Sequence, residues 1–147
     1  MHRPARLVLA PLLLALSAPA ALAADAESGA LTVEQISPGY AVRAQITAGD
    51  LARLAAMGFR TVINSRPDGE EPGQPEAEEL AAEAHRLGLT YHHIPVAPSG
   101  PTETEARKLR AALTTAPGPV LGFCRSGRRA ARLKELADSL GPRGGSD

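Results

Sequence analysis

Cys124 is the single cysteine of the chain. It stands in the stretch FCRSGRR, residues 123–129, beside Arg125, Arg128 and Arg129. The stretch follows an apolar run, PVLG, and precedes a helical pattern, AARLKELADSL. A thiolate, not a thiol, is the reactive form of cysteine, and two features here favour it. The start of a helix supplies free backbone N–H groups and the positive end of a dipole. The guanidinium groups stay charged at any working pH. Gly127 lets the backbone turn so that successive N–H groups converge on an anion, and Arg129 can clamp an oxyanion through two parallel donors. The implied chemistry is nucleophilic. Cys124 and Arg129 are the catalytic candidates, and Arg125, Ser126, Gly127 and Arg128 form a substrate-binding loop. A free cysteine can also be a small core residue; the glycine, the strand-to-helix seam and the arginines together favour the site.

Charge and composition narrow the substrate. The chain has 147 residues, enough for one core, and carries 16 basic and 16 acidic side chains. Its first residues, MHRPAR, are a basic head before the apolar run LVLAPLLLALSAPA and the small-x-small site ALA. That order is a secretory signal with cleavage near Ala23. Pro11, Ser17 and Pro19 interrupt the run, which is short for a membrane anchor. The expected location is periplasmic or secreted. Without Arg3 and Arg6 the balance becomes 14 basic against 16 acidic, which argues against bulk binding of nucleic acid. The positive charge is local: Arg125, Arg128, Arg129, Arg132 and Lys134 fall within ten residues, a field suited to a small anion. One cysteine allows no internal disulfide.

The elements that must hold this loop follow from periodicity. After a flexible lead-in at 24–30, LTVEQIS and YAVRAQ alternate apolar and polar residues around PG, as in a hairpin. TAGDLARLAAMGF is a helix with Thr47 as N-cap, ended by Gly58. RTVIN is a buried strand and SRPDGEEPGQ is turn chemistry, with Arg66 pairing Glu70 or Glu71 to fix the turn. PEAEELAAEAHRLG reads as a helix with Pro75 in its first turn and Gly88 after its end. LTYHHIPV is a strand. His92 and His93 should point to opposite faces there, which disfavours a metal site. TETEARKLRAALTTAPG is a helix capped by Thr102, with Glu105 at the capping-box position. PVLGF, the cysteine loop and a last helix complete one domain over 31–140, before a flexible tail at 141–147. Strands alternating with helices predict an α/β fold, a mainly parallel four- to five-stranded sheet with helices on both faces. The cysteine loop, SRPDGE and APSGP all fall at the carboxyl edge, where such sheets bind ligands.

Three blocks carry a resemblance: GFRTVINSRPDGEEPGQP, YHHIPV and CRSGRR. In order and spacing they resemble the phosphatase-like domain of beta-lactamase-hydrolase-like proteins, over about residues 31 to 140. The resemblance implies a dual-specificity-phosphatase-like fold with the cysteine loop at the sheet's carboxyl edge. The loop is also similar to that of rhodaneses, and members of the family are associated with sulfur transfer.

Spacing then separates two chemistries. Cysteine-phosphatase loops place five residues between cysteine and arginine; here Arg125, Ser126, Gly127 and Arg128 alone separate Cys124 from Arg129. The rhodanese pattern, Cys-Arg-x-Gly-x-Arg, fits position by position. A phosphatase also needs an acid for the leaving oxygen, and no aspartate lies between Asp68 and Asp138. Asp68 is the candidate general acid for a phosphatase, although it also suits a turn. The expectation is therefore a sulfurtransferase. Cys124 would take sulfane sulfur from thiosulfate or a persulfide and pass it to a thiol acceptor, needing no cofactor and no metal. A cysteine-dependent phosphatase is the alternative, and a non-catalytic domain binding a small oxyanion is the third. Either enzyme takes a small anionic substrate and, once the signal is cleaved, no membrane; the oligomeric state is left open.

Overall fold

The computed structural model describes residues 31–141; the expected signal segment and cleavage site, the lead-in at 24–30 and the tail beyond residue 141 lie outside them. Five strands form one sheet: β1 (Glu34–Ser37), β2 (Tyr40–Arg43), β3 (Thr61–Asn64), β4 (Thr90–His93) and β5 (Val120–Phe123). Their order is β1-β2-β5-β3-β4. β1 runs antiparallel to β2 through the PG turn, and every other pairing is parallel. The fold is thus the mixed α/β, mainly parallel arrangement that the pattern predicts.

Four helices cover the sheet: α1 (Ala48–Ala56), α2 (Ala77–Arg86), α3 (Glu103–Thr115) and α4 (Arg128–Ser139). Alternation along the strands sends successive side chains to opposite faces. Ala41, Val62, Leu121 and Phe123 pack with Leu51 and Leu54 of α1 and Leu80 and Ala84 of α2. Tyr40, Val42, Ile63 and Val120 pack with Ala106 and Leu109 of α3 and Ala130, Leu133 and Ala137 of α4. Each fully buried leucine contributes about 1.5–3 kcal/mol. Gly122 sits at the centre of the sheet for a steric reason: a Cβ there would lie 2.7 Å from the buried Tyr40 hydroxyl.

Helix starts follow their caps. The Thr47 N–H donates to the Asp50 carboxylate at 2.9 Å, and the Thr102 N–H to Glu105 at 2.6 Å. α2 departs from expectation. It begins at Ala77, beyond Pro75, and the Ala77 N–H donates to the Asp68 carboxylate at 2.8 Å. A carboxylate from the preceding loop satisfies a free donor that no neighbouring side chain reaches. β4 is also shorter than the apolar run, although the Ile94 and Val96 N–H groups still donate to the Asn64 and Ser65 carbonyls at 2.8 and 3.0 Å.

The parallel strands end in register. Arg43 and Asn64 are both paired with Phe123, and His93 with Asn64. The loops that follow β2, β3, β4 and β5 therefore emerge along one edge, with the cysteine loop on the central strand.

Candidate active site

β5 ends at Phe123, whose carbonyl accepts the Ser65 N–H at 2.8 Å and ties the start of the loop after β3 to the cysteine loop. Cys124 follows, buried, with its Sγ accepting the Gly127 N–H at 3.0 Å. Gly127 has φ 93°, and a Cβ at that position would lie 3.2 Å from the backbone carbon and oxygen of Arg43. Only glycine meets both demands. α4 begins at the next residue, its first turn closed by Ala131 N–H donating to the Gly127 carbonyl at 3.0 Å. The thiol thus sits under the helix start, as the sequence pattern requires.

Arg129 lies in the first turn of α4, beside the Cys124 sulfur, which is among the groups that raise the pKa of this guanidinium; the largest is its hydrogen bond to Glu70. Nη1 donates to Glu70 Oε1 at 2.6 Å and to the Val96 carbonyl at 2.8 Å, and Nη2 donates to Glu70 Oε2 at 2.8 Å. Glu70 also accepts from Arg66 Nε at 2.9 Å. Arg66 is buried, with its other nitrogens on Gln45 and Glu71, each at 2.9 Å. The hydrogen bond from Arg129, aided by Arg66 and opposed by burial, holds the Glu70 carboxyl down at about 2. Glu70 is therefore a fixed anion and no proton donor. Further out, the exposed Arg125 pairs with Glu71 at 2.6 Å. A cavity of about 250 Å³ lies among Arg66, Glu70, Glu71, Pro98, Arg125 and Arg129.

The residues singled out in the sequence divide in two. Cys124 and Arg129 come together, and Arg125 lines the cavity that Arg129 lines, while Cys124 is buried and not part of its wall. Ser126, Gly127 and Arg128 line a different cleft, with Arg43 and Arg132. Asp68 is exposed and spends its carboxylate on Ala77. His93 contacts the Arg66 carbonyl through Nε2 at 2.8 Å, a contact that helps hold the loop after β3. Among the described residues no cluster of three metal-ligating side chains exists. Sequence reasoning paired Arg66 with Glu70 and Glu71 correctly, and missed that Glu70 orients Arg129. The one available signal was charge: Glu70 follows a strand that ends at the same edge as three arginines.

Residues 32–141 match the model of the family described as beta-lactamase hydrolase-like protein, phosphatase-like domain. The chain belongs to this family. A beta-lactamase hydrolase-like protein of Agrobacterium fabrum (strain C58) is 41% identical over 108 residues, which is 72% of this chain and 25% of that protein. A second, from Xylella fastidiosa (strain Temecula1), is 36% identical over 110 residues, 75% of this chain and 26% of that protein. The phosphatase-like domain thus spans about a quarter of the length of these relatives. Among solved structures, a candidate phosphatase from Neisseria meningitidis Z2491 superposes with a TM-score of 0.66 at 27% identity, over 76% of this chain and 81% of that one. Kinase associated phosphatase, with its catalytic-site cysteine changed to serine, shares the fold at a TM-score of 0.58 and 18% identity, over 79% and 80% of the two chains.

These likenesses overturn the expectation of sulfur transfer. The family model is a phosphatase-like domain, and the solved structure that superposes at 27% identity is a candidate phosphatase. Residues 124–129 are not a free loop whose length alone sets the chemistry: α4 already begins at Arg128, and its first turn carries the Arg129 guanidinium toward the sulfur. The next residue, Ala130, is buried in the core and belongs to the helix, not to the loop.

Proposed function

We propose that this domain is a cysteine-dependent phosphohydrolase acting on small phosphorylated molecules. The observation that supports this reading most directly is Cys124 itself. Its sulfur accepts the Gly127 N–H at 3.0 Å and lies beside the Arg129 guanidinium at the start of a helix. A phosphoryl group entering there meets a nucleophile, an N–H donor and a fixed positive charge. The Cys124 thiolate attacks phosphorus, the bond to the leaving oxygen breaks, and the leaving group departs with the bonding electrons. Water then attacks the phosphocysteine, the sulfur leaves as thiolate, and inorganic phosphate is released.

Arg129 is oriented for this task. A guanidinium has five N–H donors. Glu70 and Val96 occupy both hydrogens of Nη1 and one of Nη2. The Nε hydrogen and the second Nη2 hydrogen remain, and these form one edge, the geometry of a bidentate oxyanion contact. Cys124 is buried, so the substrate reaches the sulfur as the exposed Arg125–Glu71 pair parts. A pair so exposed resists little.

The leaving group is the selective element. Asp68 serves as the cap of α2, and Glu70 is held ionised. Glu70 therefore delivers no proton to a departing alkoxide, and Asp68 does not line the cavity beside Arg129. Substrates whose leaving group departs as a stable anion, aryl phosphates and phosphoanhydrides, are therefore favoured over alkyl phosphates. Steady-state hydrolysis of an aryl phosphate and of an alkyl phosphate tests this. Turnover of the first, lost in Cys124→Ser, is the expected outcome. Equal rates on both would refute the leaving-group argument, and turnover that survives in Cys124→Ser would refute the mechanism.

A further inference from the structure

A larger cleft, about 640 Å³, opens on the other side of the cysteine loop, toward β2. Three guanidinium groups line it: Arg43 at the end of β2, and Arg128 and Arg132 one turn apart on α4. Among the described residues none of the three has a carboxylate partner. The Nη1 of Arg43 is moreover buried without any hydrogen-bond acceptor. A desolvated charged donor without a partner is costly, and folded proteins seldom leave one. Two carboxylates, Glu34 and Glu135, also line the cleft, so its local balance is three positive charges to two negative. Val42, Ala44 and Ala131 supply an apolar portion of its wall.

We infer that this cleft is a second ligand site, which takes a small organic molecule bearing clustered oxyanions, phosphate or carboxylate. Its volume falls in the range of small-molecule sites, whereas the cavity beside Arg129, at about 250 Å³, is less than half as large. The charged end of the ligand lies across Arg128 and Arg132, next to Arg43, and its carbon portion rests on Val42 and Ala131. The site is continuous with the cysteine loop through Ser126 and Gly127. The occupant is therefore either the distal end of a substrate or a separate effector. This assignment stands independently of whether Cys124 turns over phosphate.

Methylenediphosphonate, which has no hydrolysable bridge, is a suitable probe by isothermal titration calorimetry on the folded wild-type chain. Saturable binding is expected, weakened at least about tenfold in Arg132→Gln and in Arg128→Gln, the size of one lost charge-assisted contact. Glu135→Gln should tighten it, and Arg129→Gln should leave it within about twofold, since that side chain faces the other cavity. A thermal melt of each variant separates lost binding from lost fold. Absence of binding by the wild type, or binding lost in Arg129→Gln and unchanged in Arg132→Gln, would overturn the proposal. The effect of the probe on aryl phosphate turnover then separates the two sources: competition that is weakened in Arg132→Gln assigns the cleft to the distal end of a substrate, and a change in kcat that is lost in Arg132→Gln assigns it to an effector. If no turnover is found, the phosphohydrolase reading falls while the binding isotherm still decides the cleft.

Discussion

On the β3 side of the cysteine loop each arginine is paired: Arg66 with Glu70 and Glu71, Arg129 with Glu70, and Arg125 with Glu71. On the β2 side Arg43, Arg128 and Arg132 line a cleft and, among the described residues, pair with no carboxylate. The same residue type serves two ends. A guanidinium gripped by a fixed carboxylate is an oriented tool, with its remaining donors aimed. A guanidinium without a partner is a recruiting charge, dependent on what arrives. The difference comes from the loop after β3, which brings two adjacent glutamates to one side only.

Breaking the paired side should have the larger effect. Glu70→Gln leaves Arg66 and Arg129 without their shared anion, and a misplaced Arg129 should lower kcat/KM on an aryl phosphate by about a hundredfold. Chemical denaturation of the same variant should show a loss of about 2 kcal/mol, since two largely buried cations lose a partner. That loss depends on pH. Glu70 has its carboxyl lowered from 4.5 to about 2 in the folded state, so its contribution is complete above pH 4.5 and disappears as pH falls through about 2. The stability of the wild type and of Glu70→Gln should therefore converge across that window; a gap that stays constant would contradict the role of the charge.

Next in size is Gly127→Ala. It places a Cβ 3.2 Å from the Arg43 backbone, at a φ of 93° that L-residues avoid. The loop must shift, and activity should fall about tenfold with a stability loss of about 1–3 kcal/mol. An alanine variant with unchanged activity and melting temperature would show that the loop is not held to this shape. The smallest effect belongs to the unpaired side. Arg132→Gln should change stability by no more than about 0.5 kcal/mol and leave turnover of a simple aryl phosphate unaltered.

Much of this arrangement was legible in the sequence where local rules govern. Thr47 and Thr102 announced their helices, the PG turn its hairpin, and Gly127 the left-handed step into α4. Alternating strands and helices identified the sheet, and the strand-to-helix seam identified Cys124. Long-range pairings were not legible. Glu70 meets Arg129 across 59 positions, and Asp68 caps a helix nine positions on. Residues such as these look like ordinary turn acids until the sheet brings them to the same edge. The count of residues between Cys124 and Arg129 misled for the same reason: it measured sequence, while the reach of the guanidinium is decided by where the helix begins.

The central claim is that Cys124 carries the phosphoryl group in transit. Acid quenching during turnover of an aryl phosphate, followed by mass spectrometry of the intact chain and its peptides, tests it directly. A phosphoryl adduct on the peptide containing Cys124, absent in Cys124→Ser and longer-lived when Arg129 is replaced by lysine, is the predicted result. Turnover with no adduct on Cys124, or with an adduct on another residue, would contradict the account.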